Sequence, residues 1–240
     1  MQNMNIRRNH TLLLIVILCA VLGTCAAVVI LPARKLAGTA YAAGSASTAL
    51  PPSGSKSDLS GVPLYAQSTA ESCGETAFAM AWNYAHPDKP LNVEGIISRA
   101  TQQGWYFPAD PAKVYTSPAH MGAMGTYYAA HNNEPAPEVG QMGNSPQALL
   151  FLYSQIVQGH PVIVDVTTDI GNTHSAAHFV VVTGVSLMDT QISYNDPYGY
   201  ISPGHHQAAQ ELANWLAFWN SWSANGDDQG RGDGWYMIVK

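Results

Sequence analysis

A thiol, an imidazole and a carboxylate can together attack an acyl group, and Cys73, His178 and Asp196 stand in settings that suit those roles. Cys73 falls at the first residue of a predicted helix, after Ser72 at the N-cap and before Glu75, the reciprocal pair of a capping box. A helix start aims unpaired backbone N–H groups and the positive end of the helix dipole at the sulfur, which favours the thiolate. The N–H of Cys73 can also serve an oxyanion at the same spot. The plainer reading of a lone cysteine is a small core residue.

His178 directly precedes the most apolar predicted strand, Phe179–Thr183. Its ordinary pKa near neutrality suits a group that takes and returns a proton. Asp196 ends the next predicted strand, in Asn195-Asp196-Pro197, where its carboxylate can orient the imidazole if the two strands are neighbours. The same tripeptide suits a tight turn, and Asp165, Asp169 and Asp189 compete for the orienting role. His174 and His178 have the i, i+4 spacing of some zinc sites, but that spacing needs a helix and a strand follows. No metal and no cofactor is expected.

Bringing these groups together takes a helix and a sheet. Ala77-Phe78-Ala79-Met80-Ala81-Trp82 is apolar almost all round, which marks a buried central helix running from Ser72 to about His86-Pro87. Asn92–Gln103 reads as a second helix, capped by Asn92 and stopped by Gly104. Ser117-Pro118 opens a third, with Met121, Met124, Tyr127 and Tyr128 at helical spacing. Ser145-Pro146 opens a fourth, with Leu149, Leu152, Tyr153 and Ile156 inward and Gly159 as its stop. Val62–Tyr65 reads as a short entering strand.

The later texture is β-branched: Pro161–Val166, Phe179–Thr183 and Gln191–Tyr194 read as strands, and Trp235–Val239 as the last. Gln207–Asn220 is predicted as an amphipathic helix with Leu212, Trp215, Leu216 and Trp219 on one face. The aromatic cluster Trp215, Phe218, Trp219, Trp222 reads as core, and Asn225–Gly230 as a polar loop without EF-hand spacing. Helices first and strands later, without βαβ alternation, predict an α+β fold in which an N-terminal buried helix packs on an antiparallel β-sheet.

Composition narrows the setting. The chain has 240 residues, 47% of them apolar and only 11% charged, which fits a globular protein and not a disordered one. A net charge of -6 offers nothing to a phosphate backbone, so no nucleic-acid partner is expected. Thr11–Leu31 carries no charge and follows Arg7, Arg8 and His10; at roughly 1.5 Å per residue it just spans a bilayer. Ala40-Tyr41-Ala42 fits the A-x-A pattern of a cleavage site, so a retained anchor and a long signal peptide are both open.

The expected organisation is a signal or membrane-anchor segment over 1–36, a flexible Ala/Gly/Ser/Pro linker over 37–57 and a folded domain over 58–240, lying outside the cytoplasmic membrane. Of three cysteines, Cys19 and Cys25 lie in the apolar segment, which leaves Cys73 without a disulfide partner in the domain. An unpaired thiol in an oxidising compartment is a liability unless it has a task.

Four blocks in order carry a family resemblance: Gln67 with Ser72-Cys73-Gly74 and Ala77–Met80; Gly159–Val164; His178–Gly184; and Asn195-Asp196-Pro197-Tyr198-Gly199. Together they resemble the peptidase C39-like domains of the papain-like clan of cysteine peptidases, from about Val62 to the end. The resemblance implies a papain-like fold with Cys73 as nucleophile, His178 as general base and acid, and Asp196 as the group that orients it. Gln67 matches the family's oxyanion-hole glutamine. Glu75 stands where the family often has proline, and nothing in the chain resembles the ATPase or multi-span transporter that accompanies C39 peptidases proper.

The implied activity is thiol-dependent hydrolysis of amide bonds in a peptide or protein substrate. Two alternatives stand beside it: a catalytically silent peptide-binding or adhesion module, and an acyl transferase using the same triad. The membrane, through the N-terminal segment, is the other expected partner. The sequence assigns no oligomeric state.

Overall fold

The β-branched and aromatic residues crowd into the second half of the chain, and the sheet forms there. The computed structural model describes residues 55–69, 71–109, 115–143, 145–202, 205–224 and 234–240, all within a unit spanning Pro51–Lys240. Thr11–Leu31, most of the predicted linker and the expected Asn225–Gly230 loop lie outside the described residues. Among those described, no helix is long and apolar enough to cross a membrane.

Five helices are described: α1 (Cys73–Ala85), α2 (Val93–Gln102), α3 (Pro118–Asn132), α4 (Ser145–Val157) and α5 (Trp215–Ala224). The strands are β1 (Lys56–Asp58), β2 (Glu138–Gln141), β3 (Val162–Thr167), β4 (Ala177–Ser186), β5 (Gln191–Asp196), β6 (Tyr200–Ser202), β7 (His205–His206), β8 (Ala209–Asn214) and β9 (Trp235–Ile238). The main sheet runs β2-β9-β3-β4-β5-β8, and its neighbours are antiparallel. β1 pairs with Gly184–Ser186, taking up the edge of β4 beyond Val182, where β3 stops. The fold is thus α+β on an antiparallel sheet, as the order of elements predicts.

Helices cover both faces of the sheet. On one side α1, α2 and α3 pack Phe78, Met80, Trp82, Ile96, Met121 and Met124 against Ile163, Phe179, Val181 and Met237. On the other, Leu152 and Ile156 of α4 and Phe218 and Trp222 of α5 pack against Val162, Val164, Val180 and Val182. Every residue of β3 and all but the first of β4 are buried, which is why these strands read as continuous apolar runs instead of alternating. Each fully buried Phe, Met, Ile or Val contributes roughly 1.5–3 kcal/mol relative to exposure.

The helix starts follow their capping chemistry. Asn92 Oδ1 accepts from the Gly95 N–H at 3.1 Å, and Ser117 Oγ from the His120 N–H at 3.3 Å. Gly104 ends α2 with φ +69°, a left-handed conformation that glycine adopts without strain.

Three expectations are corrected. Ser72 precedes α1, but no side chain caps the helix: Ser72 Oγ turns back to bond the N–H and C=O of Thr69, both at 3.2 Å. Glu75, the other half of the expected capping box, is fully buried instead. Val62–Tyr65 forms no strand. Pro63 lacks an N–H for a ladder, the edge of β4 is already taken by β1, and Asn195 Nδ2 holds Val62 and Pro63 by their carbonyls at 3.3 and 3.2 Å.

Gln207–Asn220 is two elements, not one helix. Ala209–Asn214 is strand β8, pairing with β5, and α5 begins only at Trp215. Leu212 and Leu216, expected inward, are 66% and 63% exposed, while Phe218 and Trp222 are buried. Over so short a stretch, periods of 2 and 3.6 overlap, and pairing with β5 decides. β2 was not anticipated at all.

Candidate active site

The first residue of α1 is seated against the start of β4 by a missing side chain. A Cβ on Gly74 would stand 2.8 Å from Met121 Sδ and 3.2 Å from the Phe179 ring, so only glycine lets α1 approach this closely. Phe179 follows His178 on β4, and the Cys73 thiol hydrogen-bonds the His178 ring. Cys73 is 2% exposed and free of any disulfide. Its position at the start of α1 leaves its N–H without an acceptor inside the helix.

His178 is 4% exposed and bridges the other two groups. Its Nε2–H donates to Asp196 Oδ1 at 2.7 Å, and its ring also hydrogen-bonds Cys73. With Nε2 committed to the carboxylate, Nδ1 is the nitrogen left for the sulfur. Burial alone pushes the imidazole's pKa down, but the bonds and charges of Asp196 and Cys73 outweigh it and raise the pKa to about 10.

Asp196 reaches His178 because β5 lies beside β4. Val181 pairs with Asn195 and Val182 with Tyr194, and continuing that register sets Asp196 opposite Val180, on the face of His178 and one diagonal away. The Asn-Asp-Pro turn contributes as well: the Tyr198 N–H donates to Asp196 Oδ1 at 2.7 Å and fixes the carboxylate.

The competing aspartates are elsewhere. Asp165 pairs with Phe179 on β3 and so faces away from His178 across the sheet. Asp169 accepts from Asn172 in the 168–176 loop at 3.3 Å, and Asp189 accepts from Ser186 at the far end of β4 at 2.7 Å. His174 is exposed in that loop, so His174 and His178 do not form a helical pair.

Gln67 lies in the irregular segment before α1. Its backbone N–H donates to the Pro197 carbonyl at 3.1 Å, which stitches this segment to the turn after Asp196. Its Nε2 donates to the Thr69 carbonyl at 2.9 Å, using one of the two amide hydrogens. Thr69 is itself tied to Tyr106 by a hydroxyl–hydroxyl bond of 2.7 Å. Gln67 and Thr69 are therefore tied down by Pro197, Ser72 and Tyr106.

Glu75 is the feature that the sequence reading misplaced. Its carboxyl is fully buried two residues after Cys73, and Oε1 accepts from the Thr116 hydroxyl at 2.5 Å. Oε2 has no partner among the described residues. Burial raises its pKa from 4.5 to about 7, the hydrogen bonds from Thr116 and from its own N–H only partly offsetting the loss of solvent. Tyr106, 1% exposed, is close enough for Glu75 and Cys73 to add to the upward shift that burial gives its phenol. An acidic residue inside an apolar helix run was the visible signal for Glu75; nothing local marks Thr116 or Tyr106. Among the described residues no cluster of three His, Cys, Asp or Glu is placed to hold a metal ion.

A thiol at a helix start, an imidazole between it and a carboxylate, and an amide-bearing loop alongside form an arrangement able to carry out acyl chemistry. No curated protein sequence matches the chain. Its fold is similar to the crystal structure of a Bacillus anthracis protein assigned to the C39-like peptidases. The two share 16% identity with a TM-score of 0.52, and the match covers 78% of this chain and 98% of the other. The profile of the Peptidase_C39 like family matches residues 59–228, from the end of β1 past α5, and the chain therefore belongs to the Peptidase_C39 like family.

Proposed function

We propose that the protein is a papain-like cysteine peptidase that hydrolyses amide bonds in a peptide or protein substrate. The observation that carries this reading is His178, buried between the Cys73 thiol and the Asp196 carboxylate, with Nε2 bonded to the carboxylate and the other face of the ring turned to the sulfur. In the cycle, Cys73 transfers its proton to His178 and the sulfur attacks the scissile carbonyl carbon. The oxyanion takes the Cys73 N–H and the Gln67 side-chain amide, each donor worth roughly 10²–10³ in rate. On collapse the C–N bond breaks, His178 protonates the leaving amine, and a thioester remains on Cys73. Water then gives a proton to His178, attacks the thioester and releases the acid, returning the proton to the sulfur.

We place the folded domain outside the cytoplasmic membrane, on the apolar Thr11–Leu31 segment and the spacer after it. The test is the pH dependence of Cys73 alkylation by iodoacetamide in the full chain and in His178→Ala, with hydrolysis of a peptide library in parallel. Rapid labelling below the free-thiol pKa of about 8.5, slowed in the variant, together with Cys73-dependent cleavage, supports the reading. Ordinary labelling in both proteins and no cleavage sinks it in favour of a silent binding module. Labelling of the activated kind, with product formed only when an amine is added, identifies an acyl transferase.

A further inference from the structure

A recess of about 300 Å³ lies between α2 and α3 and plays no part in the chemistry assigned to Cys73. Its apolar part is Leu91 and Ile96, and its polar part includes Arg99, Tyr127 and Tyr128. It sits beside the far half of α1: the Tyr128 ring is 5.6 Å from that of Phe78 and 6.4 Å from that of Trp82. At about 1.5 Å of rise per residue, Trp82 is roughly 13 Å along the helix from Cys73.

Charge singles this recess out. Among the described residues each lysine holds a carboxylate: Lys56 with Asp58 at 2.9 Å, Lys89 with Glu134, and Lys240 with Glu138 at 2.6 Å. Arg99, by contrast, has no carboxylate partner among the described residues, and its guanidinium carbon lies 5.5 Å from the centre of the Tyr127 ring. No Asp or Glu lines the recess, although the chain carries a net charge of -6. Tyr127 is braced by Trp105, edge-on at 5.7 Å, and by His131 at 3.8 Å. A guanidinium over a braced ring and without a carboxylate partner can offer its N–H groups to a carboxylate in a two-pronged bond. The Tyr128 hydroxyl, its pKa raised by burial and by Tyr127, stays a donor beside it.

We propose that this recess binds a carboxylate joined to an apolar body, as at the C-terminus of a peptide. Arg99 grips the carboxylate, and Leu91 with the rings of Tyr127 and Tyr128 takes the apolar part. Gly95 keeps the space open: a Cβ there meets nothing nearer than Asn92 Cβ at 4.0 Å, so a side chain at this position fits the backbone and fills the recess. The proposal does not depend on the chemistry assigned to Cys73.

The experiment titrates the full chain with N-acetyl-L-leucinate and follows the Arg99 Nε–H and Tyr127 ring resonances by NMR. N-acetyl-L-leucinamide and inorganic phosphate serve as parallel probes. The expected result is saturable binding of the leucinate, weakened at least about tenfold in Arg99→Gln and in Gly95→Met, with no binding of the amide. Both variants should keep the wild-type near-ultraviolet dichroism and Cys73 labelling rate; if Arg99→Gln fails to fold, Gly95→Met alone decides. Equal binding of acid and amide, tighter binding of phosphate than of leucinate, or undiminished binding in either folded variant overturns the proposal.

Discussion

The β4–β5 side and the α1 side of the candidate site each bury a carboxyl group, and the two are provided for in opposite ways. Asp196 Oδ1 receives both the His178 Nε2–H and the Tyr198 N–H, each at 2.7 Å. Glu75, fully withdrawn from solvent, receives the Thr116 hydroxyl on one oxygen, and its pKa is pushed up to about 7. A buried carboxylate is sustained by donors and opposite charge, and one short of both takes up a proton instead. The site thus holds one carboxyl group suited to stabilising an imidazolium and another that is neutral or charged according to pH.

Removing the thiol is the severest way to break this comparison, since both carboxyl groups then surround an inert centre. Cys73→Ala should lower peptide hydrolysis by roughly 10⁴-fold or more while the fold survives, read by steady-state assay beside a thermal melt.

Asp196→Asn keeps the shape of the partner and removes its charge, so it isolates the electrostatic half of the contrast. The expected loss in kcat/KM is about 10²-fold. In the proposed cycle His178 is protonated when it delivers a proton to the leaving amine, so that activity should fall as pH rises through about 10. In the variant that alkaline limb should move to lower pH, and an unmoved limb would show that Asp196 does not hold the imidazolium.

Glu75→Gln tests the other carboxyl group through stability. Its pKa is raised from 4.5 to about 7, so the folded state binds a proton that the unfolded state has released between those values. Stability therefore falls as pH rises from 4.5 to 7, by about 3 kcal/mol at most. The amide has no charge to strand, so the variant should be the more stable protein at pH 8 and gain nothing below pH 4. Chemical denaturation at the two pH values measures the difference, and equal values at both would place a compensating charge on Glu75.

Gly74→Ala should have the smallest effect. The Met121 thioether can move aside, but the Phe179 ring must give by a few tenths of an ångström. A cost of about 1 kcal/mol in stability is expected, with a drop in Cys73 labelling rate as α1 backs away from β4.

Much of the helical part was legible because its signals are local. Asn92 and Ser117 cap α2 and α3 through bonds spanning three residues, and Gly104 stops α2 by its own backbone conformation. β3 and β4 were legible because burial on both faces leaves a continuous β-branched run. β8 was not, because Ala209–Asn214 has no alternation of apolar and polar residues, with Gln210 and Glu211 adjacent and Leu212 exposed, and it becomes a strand only through β5 beside it. Glu75 misled for a related reason: three residues after a serine at a helix start, it fits a capping box, and only Thr116, distant in sequence, draws the carboxyl inward.

The sequence by itself determined which residue types were present for acyl chemistry, the buried apolar helix that Cys73 begins, and the strand that follows His178, since these rest on side-chain identity and on continuous apolar runs. Only the tertiary structure decided which aspartate meets the imidazole, which ring nitrogen it takes, and the environment of Glu75. Those outcomes depend on the register of β4 against β5 and on the close approach that Gly74 permits. Both are set by packing between segments far apart in the chain.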